Sequence, residues 1–466
     1  MTILPTETHI LIFPFPAQGH MMPLLDLTHK LATHGLTITI LITPKNLPFL
    51  NPLLSLHPSI KTLVLHFPTH SSIPSGVENV KDMPSNPVHI ITMIRILAEL
   101  RDPLLRWFKS HPSPPVAIIS DMFLGWTNHL ARQLNIRRIV FSPSGAMALS
   151  VIYSLWRDMP KRNQNELVSF SRIPNSPEFP WFQISTIYRT YVEGGTDSEF
   201  IKDAFCANLA SWGLVVNSFT ELEGVYLDHL KKEFGHHDHV WAVGPLFPHP
   251  GPSSVPVDDV LTWLDRCEDN KVVYVCFGSQ TSLTNDQMEQ LASSLGRSRV
   301  KFIWCIREEE HVRGYNLIPS GFEDRMAGRG LIIRGWAPQV LILSHPAVGA
   351  FLTHCGWNSV LEGLAAGVPM LAWPMGADQF VNASLLVDKL KVAVRACEGA
   401  TTVPNWEELA RVIKESVSEN RVNRERVQKL SSVAVDAIKD GGGSSVKGLE
   451  MLVQNLVKLK LKSSDL

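Results

Sequence analysis

The sequence predicts an α/β protein built from two Rossmann-like, doubly wound domains facing a cleft. Three observations predict it. Short β-branched runs alternate with helical runs over 9–141 and again over 272–390, a rhythm that belongs to parallel sheets covered by helices. Between them Leu246 to Pro256, LFPHPGPSSVP, is rich in proline, serine and glycine and reads as a linker. The length, 466 residues, also exceeds what one core ordinarily holds.

The elements follow in order. His9 to Phe13 is a short apolar strand, and Pro14 to Gly19 is a loop ending at His20. A helix over Met21 to Leu31 would place Pro23 in its first turn, where a missing N–H costs nothing. Leu36 to Ile42 is the second strand, Val116 to Ser120 the next, and Asp121 opens a helical run to Leu134 before the strand Arg138 to Phe141. Residues 70–110 and 155–210 are less regular and are expected to supply helices and loops around an acceptor pocket. After the linker come strands Val272 to Phe277, Lys301 to Ile306, Leu331 to Arg334 and Ala347 to Leu352, with a helix over Asp286 to Leu295. Val360 to Ala366 has helical spacing and stops at Gly367 ahead of Pro369. A last helix is read from Gln379 to Leu390. The domains are therefore set at 1–245 and 258–450, joined by 246–257, with a helix over 451–466 packing back on the first.

Hydrophobic residues make up 45% and charged residues 19%, as in a globular enzyme. A formal net charge of −1 argues against a nucleic-acid binder, which would carry a basic stripe. Six scattered cysteines, several inside apolar runs such as VVYVCFG, suit reduced, buried thiols better than a disulfide framework. The segment MTILPTETHILIF has no basic region ahead of its apolar run, and no apolar stretch approaches the roughly 20 residues of a membrane span. A monomeric, cytoplasmic enzyme is expected.

The chemistry concentrates between Trp336 and Gln379, WAPQVLILSHPAVGAFLTHCGWNSVLEGLAAGVPMLAWPMGADQ. Its turn His354-Cys355-Gly356-Trp357-Asn358-Ser359 leads from a buried strand into a helix. The unpaired N–H groups of a helix's first turn form an anion site, to which Asn358, Ser359 and His354 add donors. A diphosphate is the natural guest. In the first half, His20 opens a helix just after a strand. The positive end of a helix dipole favours a neutral imidazole able to take a proton, although a capping or loop histidine would look the same. Asp121, after the strand VAIIS, is either the carboxylate partner that orients that ring or an N-cap for the following helix. Ser359-Val-Leu-Glu362 fits a capping box, and Trp336 could be core. A dinucleotide oxidoreductase would need G-x-G-x-x-G after the first strand, where PFPAQGH stands. His236-His237-Asp238-His239 reads as a solvated turn, not a metal site. No D-x-D triplet is present, so no metal is expected.

The segment 336–379 resembles the signature of plant family 1 UDP-glycosyltransferases, and FPFPAQGHMMPLLDL, VVNSFTELE, AVGPLFP and VVYVCFGSQ extend the likeness over the chain. The resemblance implies the glycosyltransferase B (GT-B) architecture and an inverting, UDP-sugar-dependent O-glycosyltransferase, with the sugar nucleotide as co-substrate. It assigns His20 as base and Asp121 as its partner. It gives uracil to Trp336 and Ala337, ribose to Gln339 and Glu362, phosphates to Ser279, and sugar hydroxyls to Asp378 and Gln379. His354, Trp357, Asn358 and Ser359 complete the UDP-sugar site. Glutamine in the final position usually accompanies glucose. Among plant members the chain resembles those acting on flavonols, often at the 7-hydroxyl, and on hydroxybenzoates. The usual threonine near the sugar is replaced by Phe141-Ser142-Pro143-Ser144-Gly145, which leaves UDP-xylose or UDP-rhamnose as alternative donors and a terpenoid alcohol as an alternative acceptor. A non-catalytic nucleotide-sugar binding protein would lack base, partner or phosphate ligands, and all are present here.

Overall fold

A computed structural model describes residues 8–83, 87–162, 166–235, 237–247, 253–307, 315, 317–418 and 422–464. The chain divides into one unit of Met1–Pro248 with Asp436–Leu466 and a second of His249–Val435. The sequence reading placed these transitions at 246–257 and at 451; residues 248–252 of that linker lie outside the described residues.

In the first unit, β1 (His9–Phe13), β2 (Thr37–Ile42), β3 (Lys61–Val64), β4 (Ala117–Asp121) and β5 (Arg137–Ser142) lie in one sheet, and β6 (Leu167–Ser169) and β7 (Glu178–Pro180) pair apart as an antiparallel ribbon. With β8 (Gly213–Val216) and β9 (Val240–Ala242) the main sheet has the order β3-β2-β1-β4-β5-β8-β9, and each neighbouring pair of its strands runs parallel. Strands buried on both faces must be apolar throughout, as Ile10, Ile12, Ile38, Ile40, Ile119 and Ile139 are. Order reverses between β1 and β4, the place where the crossover loops part and leave a crevice at the strands' carboxyl ends.

The second unit repeats the plan with β10 (Val272–Cys276), β11 (Lys301–Ile306), β12 (Gly330–Arg334), β13 (Val348–Thr353), β14 (Met370–Ala372) and β15 (Ala393–Arg395), in the order β12-β11-β10-β13-β14-β15. Its reversal falls between β10 and β13. Phe302, Trp304, Leu352 and Trp373 lie in its core.

Two boundaries differ from expectation. The first helix runs Gln18–Thr33, so Pro23 lies inside it and has no N–H to offer the carbonyl of Gly19. The proline rule located the helix start too late, because packing of Leu24, Leu27 and Leu31 into the core outweighs one lost bond. The last helix is Ser444–Ser464, not 451–466. It starts directly after Gly441-Gly442-Gly443, where Ser445 donates its hydroxyl to the Gly244 carbonyl and Ser444 donates to Glu221 at 2.7 Å. Leu449, Leu452 and Leu456 enter the first unit's core. A Cβ on Gly448 would stand 2.3 Å from the Ala242 carbonyl oxygen, so the helix can approach β9 this closely only with glycine there.

Candidate active site

His20 and Asp121 flank the reversal point of the first sheet. His20 is the third residue of its helix, just beyond β1, and Asp121 is the last residue of β4. His20 Nδ1 lies 2.9 Å from Asp121 Oδ2, with the carboxylate fully buried and the imidazole 19% exposed. The other carboxylate oxygen accepts the Phe123 N–H at 2.8 Å and caps the short turn Met122–Leu124. Asp121 thus meets the His20 ring with one oxygen and caps the following turn with the other. Phe123 stacks on the His20 ring at 4.6 Å between centroids, and Phe15 meets it edge-on at 5.5 Å. With Nδ1 bonded to Asp121 and one face of the ring stacked on Phe123, Nε2 is the nitrogen left to accept a proton.

The floor beneath this pair was not legible in advance. Arg138, the second residue of β5, is 1% exposed and hydrogen-bonds Ser120, Asn208, Ser211 and the Asp121 carbonyl. The one sequence signal was a basic residue directly ahead of the apolar run Ile139 to Phe141. Glu223, in the TELE segment, donates nothing and accepts the Ala146 and Met147 N–H groups at 2.8 Å each, filling the first turn of the helix Ala146–Asp158 with a protein carboxylate.

In the second unit, Ser279 follows β10 and His354 follows β13, again on either side of the reversal point. The His354 ring lies between Gly278 and Gly356: a Cβ on either would come 2.6 or 2.4 Å from Nε2, which is why small residues stand there. Its Nδ1 is buried with no hydrogen-bond partner, and burial pushes its pKa down to about 4. The helix Trp357–Ala365 starts two residues on, with Gly356 as N-cap and no side-chain cap. Trp357, Asn358 and Ser359 therefore form its first turn. The capping box that Ser359 and Glu362 offered as an alternative to a ligand role does not form, because both residues lie inside the helix, one turn too late.

Glu362 instead accepts from Gln339 Nε2 at 2.5 Å, and the same nitrogen reaches Ser359 Oγ at 3.1 Å. Gln339 Oε1 accepts the Tyr274 hydroxyl at 3.1 Å. Burial raises the Glu362 carboxyl to about 7 despite the Gln339 bond, which opposes the rise. A carboxylate held near neutrality in a polar nest has the chemistry of a hydroxyl receptor.

Trp336 and Ala337 follow β12. The Trp336 N–H donates to Ser254 Oγ at 2.7 Å and its carbonyl accepts the Ser254 N–H at 2.8 Å, while its side chain is 38% exposed. A backbone fixed at both groups with an open indole can stack on a planar ligand. Asp378 precedes the helix Gln379–Ser384 without capping it. Gln379 Oε1 is committed to the Met375 and Gly376 N–H groups at 2.9 and 3.0 Å, so its amide is oriented with Nε2 left to donate. Of the histidine run 236–239, residue 236 lies outside the described residues, and His239 packs on Trp212 at 4.2 Å. Among the described residues no group of three metal-ligating side chains occurs, and no helix is long and apolar enough to cross a membrane.

Comparison with known proteins identifies the family. Residues 6–248 match the family model for the glycosyltransferase N-terminal domain, and 257–440 match that for UDP-glucoronosyl and UDP-glucosyl transferases. The chain is 58% identical over 462 residues to UDP-glycosyltransferase 89B2 of Stevia rebaudiana, covering 96% of this chain and 98% of that one. It is 57% identical over 472 residues to the flavonol 3-O-glucosyltransferase UGT89B1 of Arabidopsis thaliana, covering 98% of each. Its fold superposes on the crystal structure of Arabidopsis thaliana UGT89C1 complexed with UDP-L-rhamnose with a TM-score of 0.82 and 42% identity, over 97% of this chain and 99% of that one. On its two parallel-sheet units, the residues at their reversal points and these matches, the chain belongs to the plant family 1 UDP-glycosyltransferases, enzymes of the GT-B fold.

Proposed function

We propose that this enzyme transfers glucose from UDP-glucose to a hydroxyl of a flavonol-type phenolic, by single displacement with His20 as general base. The observation that carries the reading is the 2.9 Å bond from His20 Nδ1 to buried Asp121. It fixes the tautomer with the Nε2 lone pair available and stabilises the imidazolium that forms. Nε2 takes the acceptor's proton as the phenolic oxygen attacks the anomeric carbon. The bond from that carbon to the β-phosphate oxygen breaks, and its electron pair leaves with UDP. Attack opposite the leaving group turns an α-linked donor into a β-linked product.

Charge gathering on the diphosphate is met by protein donors: His354, Ser279 and the first turn of the helix Trp357–Ala365 with Asn358 and Ser359. This offsets the leaving-group charge without a metal ion. The Trp336 ring and Ala337 backbone take the uracil, and Glu362 with Gln339 takes the ribose. Asp378 and Gln379 Nε2 hold sugar hydroxyls. Phe123, partly exposed and stacked on the His20 ring at 4.6 Å, offers an aromatic surface beside the base that suits a planar phenolic acceptor.

Glucose is favoured by Gln379 and by the name of the 57% identical relative. That relative's name also favours the flavonol 3-hydroxyl over the 7-hydroxyl. Rhamnose is the second reading, because the UGT89C1 structure holds UDP-L-rhamnose. A reducing compartment such as the cytosol fits the six unpaired cysteines. The testing experiment incubates purified enzyme with UDP-glucose, UDP-xylose, UDP-galactose or UDP-rhamnose against flavonols, hydroxybenzoates and terpenoid alcohols, reading product mass and linkage. UDP-glucose with a flavonol should give the highest kcat/KM; a tenfold or greater preference for UDP-rhamnose or for a terpenoid alcohol (about 1.4 kcal/mol) would overturn the donor or acceptor assignment.

A further inference from the structure

Arg138 stands where the strand calls for an apolar side chain, between Arg137 and the fully buried Ile139, Val140 and Phe141. Burying a guanidinium is costly unless an opposite charge compensates it. Yet its hydrogen bonds go only to uncharged acceptors: Nε to Ser120 Oγ at 3.0 Å, Nη1 to Asn208 Oδ1 at 2.6 Å and Ser211 Oγ at 2.9 Å, and Nη2 to the Asp121 carbonyl at 3.1 Å. The titratable groups facing it are Tyr153 and Asp121. The Tyr153 hydroxyl is buried without a hydrogen-bond partner, and burial pushes it well above its ordinary range, so it remains neutral. Burial lowers Arg138 only to about 10, so it remains charged. The anion that answers it is the Asp121 carboxylate, which is itself fully buried and turned toward His20.

We propose that Arg138 is a positioning residue for sugar transfer: its buried charge offsets that of Asp121 while its Nη2 holds the Asp121 backbone, keeping the carboxylate against His20 Nδ1 as the imidazole becomes cationic. Asn208 completes the clamp by donating from Nδ2 to the Met122 carbonyl at 2.8 Å, so the helix Thr196–Leu209 grips the same turn. The inference rests on the reading of His20 and Asp121 as base and partner.

A double-mutant cycle separates charge compensation from a plain structural clamp. Arg138→Met, Arg138→Lys, Asp121→Asn and the Arg138→Met/Asp121→Asn pair are measured for kcat, KM for UDP-glucose and thermal midpoint. Arg138→Met should lower kcat by about 30-fold or more with donor KM within about twofold, and Arg138→Lys should recover most of the loss. In the Asp121→Asn background, where the anion is gone, the same change should cost less than about threefold. Equal losses in both backgrounds, or no rescue by lysine, overturn the inference. Should Arg138→Met fail to fold, a folded double variant supports it and an unfolded one overturns it. An undiminished kcat in Asp121→Asn alone would overturn the base-and-partner reading and this inference with it, whereas a large loss there with an additive cycle overturns this inference alone.

Discussion

His20→Ala lowers kcat by about three orders of magnitude while UDP still binds with affinity within about twofold of the parent. The expectation follows from where the residue stands. Its ring is bonded to the buried Asp121 in the first unit, and every residue proposed for the nucleotide belongs to the second. Removing the base leaves the acceptor hydroxyl to lose its proton to water, while the uracil, ribose and diphosphate contacts persist. Titration calorimetry with UDP and initial rates with a flavonol measure the two quantities separately. Equal loss of both would show that His20 supports the fold, and undiminished turnover would remove it from the mechanism. Raising the pH should partly restore the variant, since a phenolate needs no base; that recovery distinguishes a missing base from a damaged pocket.

Glu362→Gln produces the second large effect, with opposite signs in affinity and stability. Burial raises this carboxyl from 4.5 to about 7, so free enzyme near neutrality holds it partly protonated. In the proposed ribose role only the carboxylate accepts from two hydroxyls, and hydrogen bonds to a charged group are worth roughly 1.5–3 kcal/mol each. Affinity for UDP should therefore rise with pH up to about 7 and level off above it. Glu362→Gln should weaken UDP about 100-fold at pH 8 and flatten that profile. Stability runs the other way. Because the folded-state pKa lies above the unfolded value, the folded protein binds more protons, so ligand-free stability falls as pH rises from 4.5 through 7. The glutamine variant escapes that loss. Thermal melts without ligand should show it more stable than the parent at pH 8 and equal at pH 4. A variant that is both weaker in binding and less stable at pH 8 would mean that Glu362 serves the helix and not the ligand.

The strands were legible because parallel strands covered on both faces need unbroken apolar runs, and β1, β10 and β11 show them within a residue of their observed ends. The strand ends beside His20 and His354 were legible for the same reason: once strands alternate with helices, ligands belong at the carboxyl ends. Where local rules competed with packing, the rules lost. Pro23 marked a helix start that Leu24 and Leu27 moved upstream, and Ser359 with Glu362 imitated a cap that Gly356 already provided. Contacts distant in sequence left no local trace. Arg138 reaches Asn208 and Ser211, Tyr274 reaches Gln339, and Phe205 meets both Phe123 and Trp156, none of them neighbours along the chain. No periodicity encodes such meetings.

The stereochemistry of the product tests the account most directly. Purified enzyme is given UDP-α-glucose and a flavonol, and the anomeric proton coupling of the first product formed is read by NMR. A β-linkage from the earliest time point is the result of one displacement assisted by His20. An α-linkage would require a second displacement or front-side attack and would contradict the mechanism built on that histidine.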